Sequence, residues 1–273
     1  MKYLYNEIEI GIKNPFKFIH VSDTHLCLVD DRDNERKNAL AKNREAGFPN
    51  AEKNLNEIMD YATKNARMVV HTGDLIDFVS YKNLDRAKDF YSAVDSFMVA
   101  GNHEFSQYVG EAWEDESYRN QSLSIVQKSF GNDIRFSSRI VNGVNFVGVD
   151  NGYYLFDKEQ YKALKREIKK GYPIILCMHV PLHEKGLYEW RMGISPCAYL
   201  TATPKRLMKT YPEYRYRQQL ANRTTRRATR LIEKNKKIKA VLTGHLHHDF
   251  ESRLKNKIQY ITGVDTVREF LIK

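Results

Sequence analysis

Nearly all the side chains of this chain that could act together in chemistry fall in five short polar clusters. In order they are Asp23-Thr24-His25, Gly73-Asp74, Gly101-Asn102-His103-Glu104, Met178-His179 and Gly244-His245-Leu246-His247. Gathered in one place they offer two Asp, one Asn and up to five His. Oxygen and imidazole donors without thiolate suit Mn, Fe, Zn or Ni rather than an iron–sulfur cluster. The set exceeds what one tetrahedral ion takes, and suits two divalent ions that share a carboxylate. Two ions roughly 3.5–4 Å apart form the clamp used to hydrolyse phosphate esters.

Each cluster sits at the end of an apolar run: Phe16 to Val21, Arg67 to Thr72, Ser96 to Ala100, Pro173 to Cys177 and Ile238 to Thr243. The runs are short, rich in β-branched or aromatic residues and bounded by turn signals, so each is predicted to be a buried strand. Strand ends of an α/β fold are where ligand-binding loops gather. Taken singly, Asp23 and Asp74 read as helix caps or turn residues, His179 as a satisfied polar residue, and Gly73, Gly101 and Gly244 as turn formers. Those readings leave unexplained why the clusters recur after five strands.

The clusters, in this order, resemble the calcineurin-like metallophosphoesterase superfamily: Asp-x-His, Gly-Asp, Gly-Asn-His-Glu, His and Gly-His-x-His. The resemblance runs from Asp23 to His247 and implies a four-layer α/β/β/α sandwich, two mixed β-sheets flanked by helices. It also implies two divalent metals. Asp23, His25, Asp74 and His247 would hold one; Asp74, Asn102, His179 and His245 would hold the other, with Asp74 bridging. A hydroxide held between the metals would be the nucleophile. His103 would assist the leaving group, and Glu104 would accept a hydrogen bond from His103 and set its tautomer.

Departures from subfamily patterns narrow the activity. Protein Ser/Thr phosphatases of the superfamily carry Gly-Asp-x-x-Asp-Arg-Gly; here Phe78 stands in the Arg position. Purple acid phosphatases have a Tyr ligand where this chain has Asp77. The pattern is most similar to small bacterial phosphodiesterases, so the expected activity is that of a phosphodiesterase on a phosphate ester, nucleotides among the candidate substrates. A nuclease and a phosphomonoesterase are the alternatives. A non-catalytic scaffold is disfavoured, because every ligand position and His103 are filled.

At 273 residues and 42% hydrophobic content, the chain can bury a sizeable core, and it reads as one domain, residues 1–273. No apolar stretch reaches the length of a membrane span, and Met1 to Lys13 lacks a signal-peptide core, so the expected compartment is the cytoplasm and no membrane partner is expected. Three cysteines without Cys-x-x-Cys spacing oppose a disulfide framework. The net charge of +10 is concentrated between Pro204 and Lys239, where thirteen basic residues face two acidic ones. A basic helix is predicted at about 215–235. It could attract nucleic acid, though a solvated helix face is the favoured reading.

The remaining elements follow from periodicity. Tyr3 to Ile12 reads as an edge strand or hairpin arm, Asp30 to Asn50 as a polar surface excursion that could be partly helical, and Ala51 to Ala66, Leu84 to Val94 and Asp157 to Lys170 as helices. Gly110 to Asn120, with Trp113, reads as a loop beside the site. Asn142-Gly143 predicts a hairpin. Pro181 to Pro212 reads as a rim insertion without periodicity, and Thr266 to Ile272 as a final edge strand. His20 and His71 are expected to be structural. His183 is a candidate for substrate contact, and Tyr153, Tyr154, Tyr188 and Trp190 are candidates for stacking on an aromatic group.

Overall fold

The computed structural model describes residues 1–110 and 117–273. Its strands in chain order are β1 (Lys2–Ile8), β2 (Phe16–Val21), β3 (Met68–His71), β4 (Ser96–Met98), β5 (Phe136–Val141), β6 (Val144–Val149), β7 (Ile174–Cys177), β8 (Ile238–Thr243), β9 (Phe250–Leu254), β10 (Lys257–Ile261) and β11 (Thr266–Ile272). The helices are α1 (Glu35–Glu45), α2 (Ala51–Asn65), α3 (Tyr81–Ala93), α4 (Ser117–Val126), α5 (Lys158–Lys169), α6 (Lys185–Met192), α7 (Glu213–Gln219) and α8 (Arg223–Lys234).

Two mixed sheets form, in the orders β1-β11-β2-β3-β4 and β5-β6-β7-β8-β10-β9. Side chains alternate across them as the strand period requires. On β2 and β3, Phe18 and Val70 point between the sheets, where they meet Phe97, Phe146, Ile175, Leu242 and Phe270. Ile19, Val21 and Val69 point the other way, onto Leu55 and Ile58 of α2 and Ala87 and Phe90 of α3. The second sheet turns Val147, Leu176 and Val241 outward onto Leu164 of α5 and Ala228 and Ile232 of α8. The layers are therefore α/β/β/α. Phe18 ties the middle, stacked on Phe270 at 5.1 Å and edge-on to Phe146 at 5.0 Å.

Several expectations are corrected. β11 is not an edge strand: it lies between β1, parallel, and β2, antiparallel. Its charged residues are buried with partners from elsewhere, Arg268 with Glu251 at 2.7 Å and Glu269 with Lys17 at 2.8 Å. The basic helix is two helices, α7 and α8, broken before Asn222, whose side chain caps α8 by accepting from the Thr225 amide at 2.8 Å. The surface excursion is partly helical, as its reading allowed: it contains α1, capped by Asn34. The insertion contains α6, whose N-cap Glu184 accepts from the Gly186 and Leu187 amides, and its own small core of Leu187, Cys197, Leu200 and Met208 against Leu246. Of the loop expected at 110–120, residues 111–116, including Trp113, lie outside the described residues, and Ser117 onward begins α4. The Asn142-Gly143 hairpin forms between β5 and β6. No helix among the described residues is long and apolar enough to cross a membrane.

Candidate metal centre

The loops after β2, β3, β4, β7 and β8 are laced together before any side chain is considered. The Asp23 amide donates to Gly73 O at 3.0 Å, His25 to Asp74 O at 2.9 Å, and Gly244 to His179 O at 3.0 Å. The packing is close enough to demand glycine. A Cβ on Gly73 would meet the Gly101 backbone, and one on Gly244 would overlap Ser22 and the Asp23 carboxylate. Asp23, His25, Asp74, His245 and His247 all have φ between +52° and +70°. Left-handed conformations at non-glycine residues cluster where surrounding structure holds them for a purpose.

Three triads converge there: Asp23, His25 and His247; His25, Asp74 and His103; Asp74, His179 and His245. Within each, the donor atoms lie within 4.8 Å of one another. His25 and Asp74 are each common to two of them. His25 Nε2 lies 3.0 Å from His247 Nε2 and 3.7 Å from both Asp23 Oδ1 and Asp74 Oδ2. His179 Nε2 lies 3.0 Å from Asp74 Oδ2, 3.1 Å from Asn102 Oδ1 and 3.1 Å from His245 Nδ1.

The outer nitrogens fit metal ligation. His25 Nδ1 bonds Asp77 Oδ1 at 2.8 Å, and His179 Nδ1 bonds Thr72 O at 2.7 Å. His245 Nε2 bonds the Tyr154 hydroxyl at 3.0 Å. An anchored outer nitrogen leaves the inner one with its lone pair toward the centre, the arrangement metal-bound histidines use. The inner nitrogens of His179 and His245, 3.1 Å apart, need a cation, proton or metal, between them. The field favours cations as well. Burial disfavours the His25 imidazolium, yet hydrogen bonds to Asp23 and Asp77 and the Asp74 charge outweigh it and push the group up to about 10. Burial is likewise overcome at His179, raised to about 9 by Asp74. Burial would raise the Asp74 carboxyl, but His179, His103 and His25 hold it well below the usual range.

Glu104 does not touch His103 in the way expected. Its buried carboxylate accepts from the amides of Asp74 at 2.8 Å, Leu75 at 2.7 Å and Gly101 at 2.7 Å. It clamps two loops, because each turn leaves backbone donors that need a buried acceptor. The orienting role falls to Asp77, which the sequence reading noted only as a departure. His103 Nδ1 donates to Asp77 O at 2.7 Å, and its amide donates to Asp74 Oδ1 at 2.8 Å. The Asp77 carboxylate also takes both arms of Arg44, at 2.7 and 2.8 Å. Phe48 stacks flat on His25, with centroids 4.0 Å apart.

The other candidates separate. His20 and His71 are buried and bonded to Thr72 and Thr24; burial holds His71 at about 3. Tyr153 and Tyr154 are buried rather than open for stacking, Tyr154 being bonded to His245 and Tyr108. His183 packs on Tyr188 and lines neither of the clefts below.

Two clefts meet at His247. One, of about 320 Å³, is lined by Asp74, Asn102, His103, His245 and His247, with Arg44, Arg191 and Arg215 and the rings of Tyr108 and Tyr199. The other, of about 530 Å³, runs from His247 past Trp190, His248 and Phe250 to Asp249 and Thr266.

A model of the calcineurin-like phosphoesterase family matches residues 16–249. The chain belongs to that family. Among solved structures, this phosphoesterase is similar to a dimetal phosphatase from Danio rerio, with a TM-score of 0.53 and 14% identity over 92% of this chain and 88% of that one. It is also similar to a calcineurin-like phosphoesterase from Bacillus subtilis, with a TM-score of 0.43 and 11% identity over 92% and 82% of the two chains. The first likeness bears out the expected fold; the second is too distant to add to it. No curated protein matches the sequence. Family and fold thus agree with the reading from the motifs, and the His and Asp groups of the phosphoesterase form clusters that could hold metal ions.

Proposed function

We propose that this phosphoesterase hydrolyses phosphodiesters with two divalent metals. The observation that carries the reading is the convergence of Asp23, His25, Asp74, Asn102, His179, His245 and His247, with the outer nitrogens of His25, His179 and His245 anchored. Asp23, His25, Asp74 and His247 would hold one ion, and Asp74, Asn102, His179 and His245 the other. Their oxygen and imidazole donors suit Mn, Fe, Zn or Ni. Bound, such a pair supplies an activated water and neutralises phosphate charge.

The protein's own groups do the rest. With its Nδ1–H given to Asp77 O, His103 keeps Nε2 on the side of the cleft it lines, where it can hand a proton to a leaving oxygen. Arg191 and Arg215 place positive charge around the same cleft, Arg44 there being paired with Asp77, a role that Phe78, buried in a small apolar cluster, does not fill. Arginine suits this because its planar fork matches phosphate oxygens. Two clefts leaving the centre on either side of His247 give room for two ester arms, which favours a diester over a monoester. The unpaired thiols of Cys27, Cys177 and Cys197 accord with a reducing, cytoplasmic setting.

The test is hydrolysis of a bis-aryl phosphate and the matching aryl monophosphate, side by side, with Mn and with chelator. Metal-dependent preference for the diester is expected. Preference for the monoester would refute the diester assignment, and no metal-dependent turnover of either would refute hydrolysis by this centre. The nuclease reading has one observation in its favour, the exposed row of Arg223, Arg226, Arg227 and Arg230 on α8. It requires that charge reversal at Arg226 and Arg227 abolish turnover of a polymer while sparing the bis-aryl ester.

A further inference from the structure

Helix α6 stands where the two clefts divide. Its consecutive residues part company: Arg191 lines the metal-side cleft, and Trp190 lines the other. The indole of Trp190 is braced by Phe250, with centroids 5.1 Å apart and planes at 36°, and meets His248 edge-on at 5.4 Å and 74°. His248 is itself fixed, Nδ1 donating to Leu246 O at 2.8 Å. An aromatic wall ordered before a ligand arrives loses little freedom on binding one.

The acidic residues of this cleft are already engaged, Asp265 by the Asn54 side-chain amide. Asp249 accepts from Lys2 Nζ at 2.7 Å, Gly263 N at 3.0 Å and Thr266 Oγ1 at 3.1 Å. What the cleft offers is a ring surface rather than a charge. Its volume of about 530 Å³ is within the range of small-molecule sites, and it opens at His247, at the edge of the candidate metal centre.

Direction follows from His103, which lines the arginine-bearing cleft and not the Trp190 cleft. A leaving group assisted by His103 departs on the arginine side. Resting on the phosphodiester reading, we infer that the Trp190 cleft binds the ester arm that stays on phosphorus, and selects an arm carrying a flat aromatic ring. The ring of a nucleobase and a simple aryl ring share the chemistry that Trp190 recognises.

The experiment compares bis(4-nitrophenyl) phosphate with methyl 4-nitrophenyl phosphate, using Mn and the full chain. The leaving group is the same in both; only the retained arm differs. The readout is the ratio of their kcat/KM values, taken for the native protein, W190A, W190L and W190F, so that intrinsic reactivity cancels between proteins. Loss of the ring surface in W190A is expected to lower the ratio roughly tenfold, and W190F to hold it within about twofold. W190L keeps bulk without a π-face and gives the same comparison should W190A fail to fold. A ratio unmoved in W190A or W190L, both esters falling together or neither falling, overturns the inference and leaves the phosphodiester reading intact. Native turnover of neither diester overturns the phosphodiester reading, and this inference with it. A nucleoside 4-nitrophenyl phosphate as a third substrate separates the two ring sources: a ratio to the methyl ester above that of the bis-aryl ester assigns the cleft to nucleobases, and one below it assigns the cleft to aryl arms.

Discussion

Replacing Glu104 is expected to damage the protein through its backbone rather than through its chemistry. The carboxylate is fully buried and takes the amides of Asp74, Leu75 and Gly101 at 2.7–2.8 Å, with Ile76 at 3.4 Å. These amides belong to the loops that carry Asp74 and Asn102. In E104A the three close amides lose their acceptor inside the protein, at about 1–3 kcal/mol each. Water entering the vacated space returns part of this, so a net loss of about 3–5 kcal/mol is expected. E104Q keeps one carbonyl oxygen but turns an NH2 toward an amide that needs an acceptor, and about 2 kcal/mol is expected. The assay is urea unfolding with chelator present, so that bound metal does not mask the difference, followed by metal titration and kcat/KM on the folded fraction. Stability and metal affinity should fall together in E104Q. Native-like unfolding of E104A, within about 0.5 kcal/mol, alongside a hundredfold loss of turnover would refute the clamp and return Glu104 to a role at His103 or the substrate.

The Asp77 carboxylate bonds His25 and Arg44 and lies 3.2 Å from His103 Nδ1, so D77N is expected to lower kcat/KM or metal affinity by roughly 10–100-fold; unchanged metal titration and turnover would remove its orienting role. G244A places a methyl group on Ser22 and the Asp23 carboxylate and is expected to reduce bound metal, read by elemental analysis of the purified protein. Burial would raise Glu269, but hydrogen bonds from Lys17, Arg67 and Tyr61 outweigh it and hold the carboxyl low. A depressed folded value means stability that is present above the unfolded pKa, about 4.3, and lost as pH falls through the folded one. E269Q should therefore be less stable than the native protein in urea at pH 7, and the gap should close as the pH falls below about 4.

The site was legible because its residues stand at strand ends, and the strands announce themselves by short β-branched runs ending in turn residues. His179 and Asp74 are more than one hundred positions apart yet needed only their own local context to be flagged. Asp77 and Arg44 were not, since each gains its meaning from the other across 33 positions of chain. Nothing in an isolated Arg on a polar helix predicts that it will bind a buried carboxylate. Glu104 was assigned to His103 by adjacency, whereas side-chain direction on a short 3-10 turn sends it to the backbone of the preceding loop. β11 was misplaced for a related reason: only tertiary ion pairs let Arg268 and Glu269 sit in the middle of a sheet. The break between α7 and α8 was marked by Asn222, a cap residue hidden in a run of basic side chains that is otherwise uniformly helical in character.

The pairing of β1 with β11 sets an order of events during synthesis. Lys2 lies opposite Thr266 and His20 opposite Arg268, so two strands at the start of the chain wait for one some 250 positions later. Until it emerges from the ribosome, β2 has an open hydrogen-bonding edge and Phe18 lacks its stacking partner Phe270. The second sheet, whose strands are all translated before β11, can assemble first. The nascent protein thus carries a half-built first sheet while the roughly 250 residues up to β11 are made, with the exposure to wrong pairing that an unpaired strand edge brings.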